Sequence, residues 1–230
     1  MSESATTGAS ARLRLAISSS SGTFFVAVGT GAEPAVVRQQ GLKDPDFHGI
    51  DELAAAAMAD AGAGFGAVAA LGVDLGPGSY SSVRATVSYV NGLGYALGAG
   101  VLGVSSLHLM AAEAFGRGAR RPLLCLHGAH ADHAYAAFYG AGDDAAAVLR
   151  YGPAEGIVAE FGAAAAAAGN MSGGPALAGR GIEQTGVLRP DVRVLYRLMV
   201  AAQDDPAAWP AVVTPLNDAS AVFHEPAPAG

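Results

Sequence analysis

Residues 67–84 read AVAALGVDLGPGSYSSVR. The first seven carry no polar side chain, the pattern of a short strand covered on both faces. Asp74-Leu75-Gly76-Pro77-Gly78-Ser79 then interrupts it. Glycine opens backbone angles closed to other residues and proline fixes a turn. Ser79 or Ser81 stands where a helix cap belongs. A helix is predicted from there to about Leu97, with Val83, Val87, Val90 and Leu97 near helical spacing. Strand, tight turn and helix make the first half of a parallel crossover.

Working towards the N-terminus, residues 50–61 (Ala, Leu and Met) predict a helix. Asp51 and Glu52 sit in its first turn, where the helix dipole favours acids, and Gly62 stands at its end. Before it, 12–17 alternates polar and apolar, 18–22 is a turn, and 23–28 is β-branched and aromatic, so the two segments pair as antiparallel strands. A third strand is expected at 35–39. Towards the C-terminus, Gly98-Ala99-Gly100 breaks the helix, 101–104 is a strand, and Ser105 caps a helix to about Phe115. An antiparallel meander followed by parallel strands with helical crossovers is the order of an actin-like, ribonuclease H-like lobe.

A second unit follows Arg120-Arg121-Pro122. Strands are expected at 123–127, 133–139 and 146–151, with Tyr135, Ala137 and Tyr139 alternating against Ala136 and Phe138. The six alanines at 163–168 read as a short helix, 175–179 as a strand, and 192–202 as a helix with Leu195, Leu198 and Met199 inward. The expected organisation is a tail at 1–11, an N-terminal lobe at 12–118, a C-terminal lobe at 119–222 and a tail at 223–230. The fold class is α/β, actin-like, with two small lobes that each carry a mixed sheet and flanking helices.

Composition narrows the function. Of 230 residues, 51% are hydrophobic and 14% charged, enough for a sizeable core and against disorder. The net charge of −7 argues against a dedicated nucleic-acid grip. The single cysteine, Cys125, excludes internal disulfides and cysteine-based zinc sites. Residues 1–11 lack the basic start and apolar run of a signal peptide, so a cytoplasmic location is expected. The stretch 85–107 is uncharged and long enough to span a bilayer, but its five glycines favour a buried helix and strand instead.

Two readings of Gly76-Pro77-Gly78-Ser79-Tyr80-Ser81-Ser82-Val83-Arg84 stand side by side. One is an anion site, because free N–H groups at a helix start attract phosphate. The other is a strand-to-helix turn with a serine cap. The segment also resembles the signature of the TsaB family (also called YeaZ, long mislabelled glycoprotease). Gly92-Leu93-Gly94-Tyr95-Ala96-Leu97-Gly98 and Gly103-Val104-Ser105-Ser106-Leu107 continue the resemblance, and His48 falls where the family has His-Ser-Glu. The resemblance is strong over 67–107, fair over 13–61 and weak beyond Arg120.

The resemblance implies a subunit of bacterial tRNA threonylcarbamoyladenosine synthesis that performs no chemistry itself. Such subunits form a homodimer when alone, pair with the catalytic TsaD, and are joined by an ATPase, TsaE. They need no cofactor in the isolated chain, ATP and Mg²⁺ belonging to the complex, and they meet tRNA only indirectly and no membrane. The implied dimer and partner helices are 50–61 and 79–97, with Ala54, Ala57, Ala61, Val83, Val87 and Val90 as interface candidates and Ala85 and Gly92 as further small residues. Departures from the family point to a divergent member or a paralogue with an altered role. Ile17-Ser18-Ser19 replaces Ile-Asp-Thr, His48-Gly49-Ile50 replaces His-Ser-Glu, Gly128-Ala129-His130 replaces Asp-Ala-Arg, and Pro215-Leu216-Asn217 replaces Tyr-Leu-Arg.

Other chemistries rest on fewer residues. Asp74-Leu75-Gly76 after a buried strand superficially resembles the phosphate loop of actin-like kinases, so a nucleotide-dependent phosphotransferase using Asp74 is the alternative. Ser18-Ser19-Ser20-Ser21 supplies no acid for Mg²⁺ in the first hairpin, which favours the non-catalytic reading. A third reading is a TsaB-derived binding module with another partner. His127, His130 and His133 have a spacing that can hold a divalent ion if they converge around their turn; solvent-facing histidines are the plainer reading. Arg117, Arg120 and Arg121 form one basic cluster, more in keeping with a solvated loop than with tRNA contact. No Gly-x-Ser-x-Gly elbow or His-Glu-x-x-His motif occurs, which sets hydrolases aside.

Overall fold

The computed structural model describes residues 12–142, 147–171, 173–202 and 209–216; the expected tails at 1–11 and 223–230 lie outside them. β1 (Leu13–Ser18), β2 (Thr23–Gly29) and β3 (Val36–Gly41) form the antiparallel meander. β1 also pairs in parallel with β4 (Val68–Asp74), and β4 with β5 (Gly100–Val104), giving the order β3-β2-β1-β4-β5. α1 (Ile50–Asp60) and α2 (Tyr80–Leu97) are the crossovers. Six of the seven β4 residues are buried, as a strand with covered faces requires. α1 and α2 bury Leu53, Met58, Val83, Val87 and Val90 against Leu15, Ile17, Leu71 and Val73. Each such side chain contributes about 1.5–3 kcal/mol. α2 stops where Gly98 takes φ 62°, a left-handed cap that costs glycine nothing.

α3 (Ser106–Gly116) begins as its sequence predicts, with Ser105 Oγ accepting from the His108 N–H at 3.1 Å. It lies between the two sheets. Leu109 joins the core on the face of the first sheet that α1 and α2 leave open, while Leu107, Met110 and Ala114 join the core of the second sheet. The second sheet has the order β10-β9-β6-β7-β8. β6 (Leu123–Gly128), β7 (His133–Tyr139) and β8 (Val148–Pro153) are antiparallel, and β9 (Ala166–Ala168) and β10 (Glu183–Gln184) run parallel to β6. The predicted alternation holds. Tyr135, Ala137 and Tyr139 face the α3 side, and Ala136 and Phe138 face α4 (Ala154–Glu160).

Three expectations are corrected. The alanines at 163–168 form a turn and then strand β9, not a helix. All three β9 residues are fully buried, facing α3-side and α4-side cores by turns, and their size lets both layers close. Ladder pairing to β6 and double burial override alanine's helix preference. Residues 175–179 carry a 3₁₀ turn, Pro175–Leu177, where a strand was expected. Finally, the helix expected in the second lobe, α5 (Val192–Ala201), packs on the first sheet against Ala16, Phe25, Ala27 and Ala70. Its Leu195, Tyr196 and Met199 fill the face that α1 and α2 leave open. Residues 209–216 return to the same lobe. Val101 N–H bonds the Pro210 carbonyl, Asn91 exchanges two hydrogen bonds with Val213, and Leu216 N–H bonds the Leu75 carbonyl.

Candidate functional site

Asp74 ends β4 with none of its surface exposed. A carboxylate taken out of water must be hydrogen-bonded. Oδ2 accepts from Ser18 Oγ at 2.8 Å and Ser20 Oγ at 2.5 Å; Oδ1 accepts from Ser106 Oγ at 2.6 Å and the Gly76 N–H at 2.9 Å. Four donors match the roughly four lone-pair positions of a carboxylate. They come from the end of β1, the first hairpin, the turn after β4 and the start of α3, so one side chain ties four chain segments together. Thr86 of α2 adds a fifth segment by donating to Ser19 Oγ at 2.9 Å.

The glycine-proline turn closes over this cluster. The Gly76 carbonyl accepts from the Ser106 N–H at 2.7 Å, and the Ser79 N–H donates to the Ser20 carbonyl at 2.8 Å. A Cβ on Gly78 would stand 2.3 Å from that same Ser20 oxygen, so the close approach of two backbones requires glycine there. Pro77 is buried, and the Arg84 guanidinium lies over the Tyr80 ring at 4.3 Å. Ser79 precedes α2 but does not cap it; its hydroxyl is shared with Ser82 Oγ at 2.9 Å.

Beside the turn, a cleft of about 450 Å³ opens between the lobes. Ser20 and Ser21 of the hairpin and Ser79 line one side, and His127, Asn170 and Arg189 line the other. His127, near the end of β6, is 8% exposed, and its Nδ1 has no hydrogen-bond partner among the described residues. Burial pushes its pKa below the usual imidazole range, and the nearby Asp74 charge opposes that only in part. Asn170 Oδ1 accepts from the Gly128 N–H at 2.8 Å. The Arg189 guanidinium stands 5.4 Å from the centre of the Phe25 ring. No described carboxylate lines the cleft. Mg²⁺ bound with a nucleotide is held through carboxylate oxygens, so these residues do not fit it. The Asp74 oxygens, which the phosphotransferase alternative would use, are turned inward and filled by hydrogen bonds.

Comparison with known proteins places this geometry. Residues 48–150 match the family described as TsaD, tRNA N6-adenosine threonylcarbamoyltransferase. The structure of YeaZ from Pseudomonas aeruginosa superposes with a TM-score of 0.71 at 22% identity, covering 86% of this chain and 95% of that one. A second Pseudomonas aeruginosa structure, titled an uncharacterized protein with similarity to peptidase YEAZ, gives a TM-score of 0.69 at 23% identity over 88% and 99% of the two chains. The chain has the YeaZ fold. No curated protein matches its sequence.

Within the YeaZ fold, the six interface candidates all lie on the core side of their helices. Ala54, Ala57, Val83, Val87 and Val90 are buried in the first core, and the half-buried Ala61 packs against it. They are the inward faces of α1 and α2 and are corrected to core, because an amphipathic helix gives its apolar stripe to its own sheet. The outward face of α2 carries Ser81, Ala85, Ser88, Gly92 and Tyr95, the last 88% exposed.

The three histidines do not converge. His127 faces the cleft, His130 is exposed in the turn, and His133 pairs with Asp132 at 2.9 Å beside the Tyr151 ring. No metal-holding cluster is present among the described residues. The basic cluster is engaged: Arg117 with Glu113, Arg120 with Glu183 at 3.0 Å, and Arg121 with the Gly140 carbonyl at 3.3 Å. No helix among the described residues is long and apolar enough to cross a membrane. Sequence reasoning missed the Asp74 hydroxyl cage and the meeting of His127, Asn170 and Arg189. The first had a signal, an acid ending an apolar strand near a serine run; the second depends on how the lobes meet.

Proposed function

We propose that this chain is a TsaB-like scaffold subunit that performs no chemistry alone and supports a TsaD-like catalytic subunit in threonylcarbamoyl transfer to tRNA. The YeaZ fold and the TsaD-family match support a role in tRNA modification. The observation that carries the scaffold role is the outward face of α2. It runs the length of an 18-residue helix with small or uncharged side chains (Ser81, Ala85, Ser88, Gly92, Tyr95). Such a face admits another helix at close range, and an exposed tyrosine is a common interface anchor. In this reading the same face makes a homodimer of the isolated chain and gives way to the TsaD-like partner. A TsaE-like ATPase joins later, and ATP and Mg²⁺ act in the complex rather than on this chain.

The test is size-exclusion chromatography with light scattering, on the chain alone and with TsaD from the same organism. A homodimer that converts to a one-to-one heterodimer is expected. Gly92→Arg is compatible with the fold, since no atom lies within 4 Å of a Cβ built there. It should weaken association about tenfold or more, as a bulky charge inside an interface does. A wild-type chain that ignores TsaD overturns the role. Unaltered binding by Gly92→Arg overturns the assignment of the face.

A further inference from the structure

We propose that the groove between α3, the start of α5 and the β2–β3 edge holds a small zwitterion, an α-amino acid with an apolar side chain. Its ammonium group meets Glu113 and Asp191, and its carboxylate meets Arg189. The site lies on the face of the first sheet that α1 and α2 leave open, so the argument is independent of the scaffold reading. Two adjoining cavities, of about 480 and 660 Å³, share Glu113, Arg117 and Asp191. The Glu113 side chain is only 11% exposed. Arg117 donates to its Oε1, and no described residue bonds Oε2. A carboxylate so far out of water calls for more donors than one. Burial pushes its pKa above the usual carboxylate range; Arg117 opposes this only in part, and the Asp191 charge adds to it. Asp191 gives Oδ1 to the Arg193 N–H at 2.8 Å and keeps Oδ2 free of described partners. Two neighbouring carboxylates with an open oxygen apiece suit an ammonium group, which has three hydrogens to give.

The remaining walls select the rest of the ligand. Arg117, Arg189 and Arg193 line the same cavity and repel a bare cation, just as the open carboxylate oxygens repel a bare anion. A positive group that enters must therefore bring a negative one with it. Arg117 and Arg193 are paired with the two acids. Arg189 forms no ion pair among the described residues, and its guanidinium stands 5.4 Å from the centre of the Phe25 ring, which lines the cavity. A guanidinium in that state can take a carboxylate through two parallel N–H bonds. Phe25 and Val187 are buried and give the cavity an apolar floor. A volume of about 480 Å³ lies in the small-molecule range and leaves room for a side chain beyond the two charged groups.

Amide ¹H–¹⁵N spectra of the full-length chain, followed during titration with L-leucine at constant ionic strength, test the site. Saturable shifts are expected at the amides of residues 113–117 and 186–193. Two capped analogues test the need for both charges. Leucinamide keeps only the ammonium and N-acetyl-leucine only the carboxylate, and each should bind about tenfold more weakly than leucine, for the loss of one charge-assisted contact. Glu113→Gln keeps the side chain's shape, and Arg189→Gln changes an exposed position outside every helix and strand. Each should weaken leucine about tenfold, and Arg189→Gln keeps the test decisive if Glu113→Gln fails to fold. No saturable shift up to about 20 mM leucine, weaker than a specific site holds, overturns the proposal. So does an analogue that binds as tightly as leucine, or an affinity that Arg189→Gln leaves unchanged. TsaD pairing is measured separately, and none of these outcomes bears on it.

Discussion

Asp74 illustrates how one side chain can look catalytic in sequence and be structural in space. An acid ending an apolar strand before Gly-Pro-Gly invites a metal-binding reading, yet its two oxygens are filled by Ser18, Ser20, Ser106 and the Gly76 N–H. The clue was the serine run from Ser18 to Ser21, which removes an acid from the hairpin and supplies donors to an acid elsewhere. The cage has a measurable consequence. Asp74→Ala leaves three hydroxyls and an amide without their acceptor, and losing hydrogen bonds to a buried charge costs about 3 kcal/mol or more. Asp74→Asn keeps the shape and one carbonyl acceptor, and serine hydroxyls can turn to accept from its amide, so it should lose less. Urea denaturation of the three proteins checks the order. Equal stability of wild type and Asp74→Ala would refute the cage as a stabilising element.

At the scale of elements, legibility followed burial pattern. Residues 67–97 were readable because an uninterrupted apolar strand, a Gly-Pro-Gly turn and a 3.6-period helix all speak to the same local structure. β9 was not readable. Ala166, Ala167 and Ala168 have high helix propensity, and only their position beside β6 makes them a strand. The inward turn of Val83, Val87 and Val90 was legible in their helical spacing, and the interface reading of the same residues set that signal aside. The cleft depended on residues far apart in the chain, Ser20, Ser79, His127 and Arg189, whose meeting no local pattern announces. The β9 assignment predicts a contrast. Ala167→Leu pushes bulk into the fully buried α4-side core and should cost about 1–3 kcal/mol. Ala163→Leu, on an exposed turn, should stay within about 0.5 kcal/mol of wild type. Thermal melts of both variants test this. A helix over 163–168 would instead favour Leu at exposed positions and would not single out Ala167.

On the scale of the whole molecule, the chain does not simply build one lobe and then the other. It leaves the first lobe through α3, forms the second sheet, and comes back with α5 and residues 209–216. α5 covers a face of the first sheet made of Ala16, Phe25, Ala27 and Ala70, and α3 contributes Leu109 to the same core. Burial of Val192, Val194, Leu195, Tyr196 and Met199 at about 1.5–3 kcal/mol each amounts to roughly 7–15 kcal/mol, the size of a typical domain's whole stability. The first lobe therefore depends on the end of the chain. A chain ending at Arg189 keeps every strand of both sheets, and a simple order of N-terminal then C-terminal lobe would have it damage only the second. The structure predicts the opposite, with β1, β2 and β4 losing amide protection at least as fully as β6 and β7. Hydrogen exchange resolves the two sheets in one experiment, and a peptide of residues 190–216 added in trans should restore protection to the first. Protection that persists in β1 and β4 without α5 would show that the meander and its parallel strands hold without it, and that the returning helix is an accessory to the first lobe.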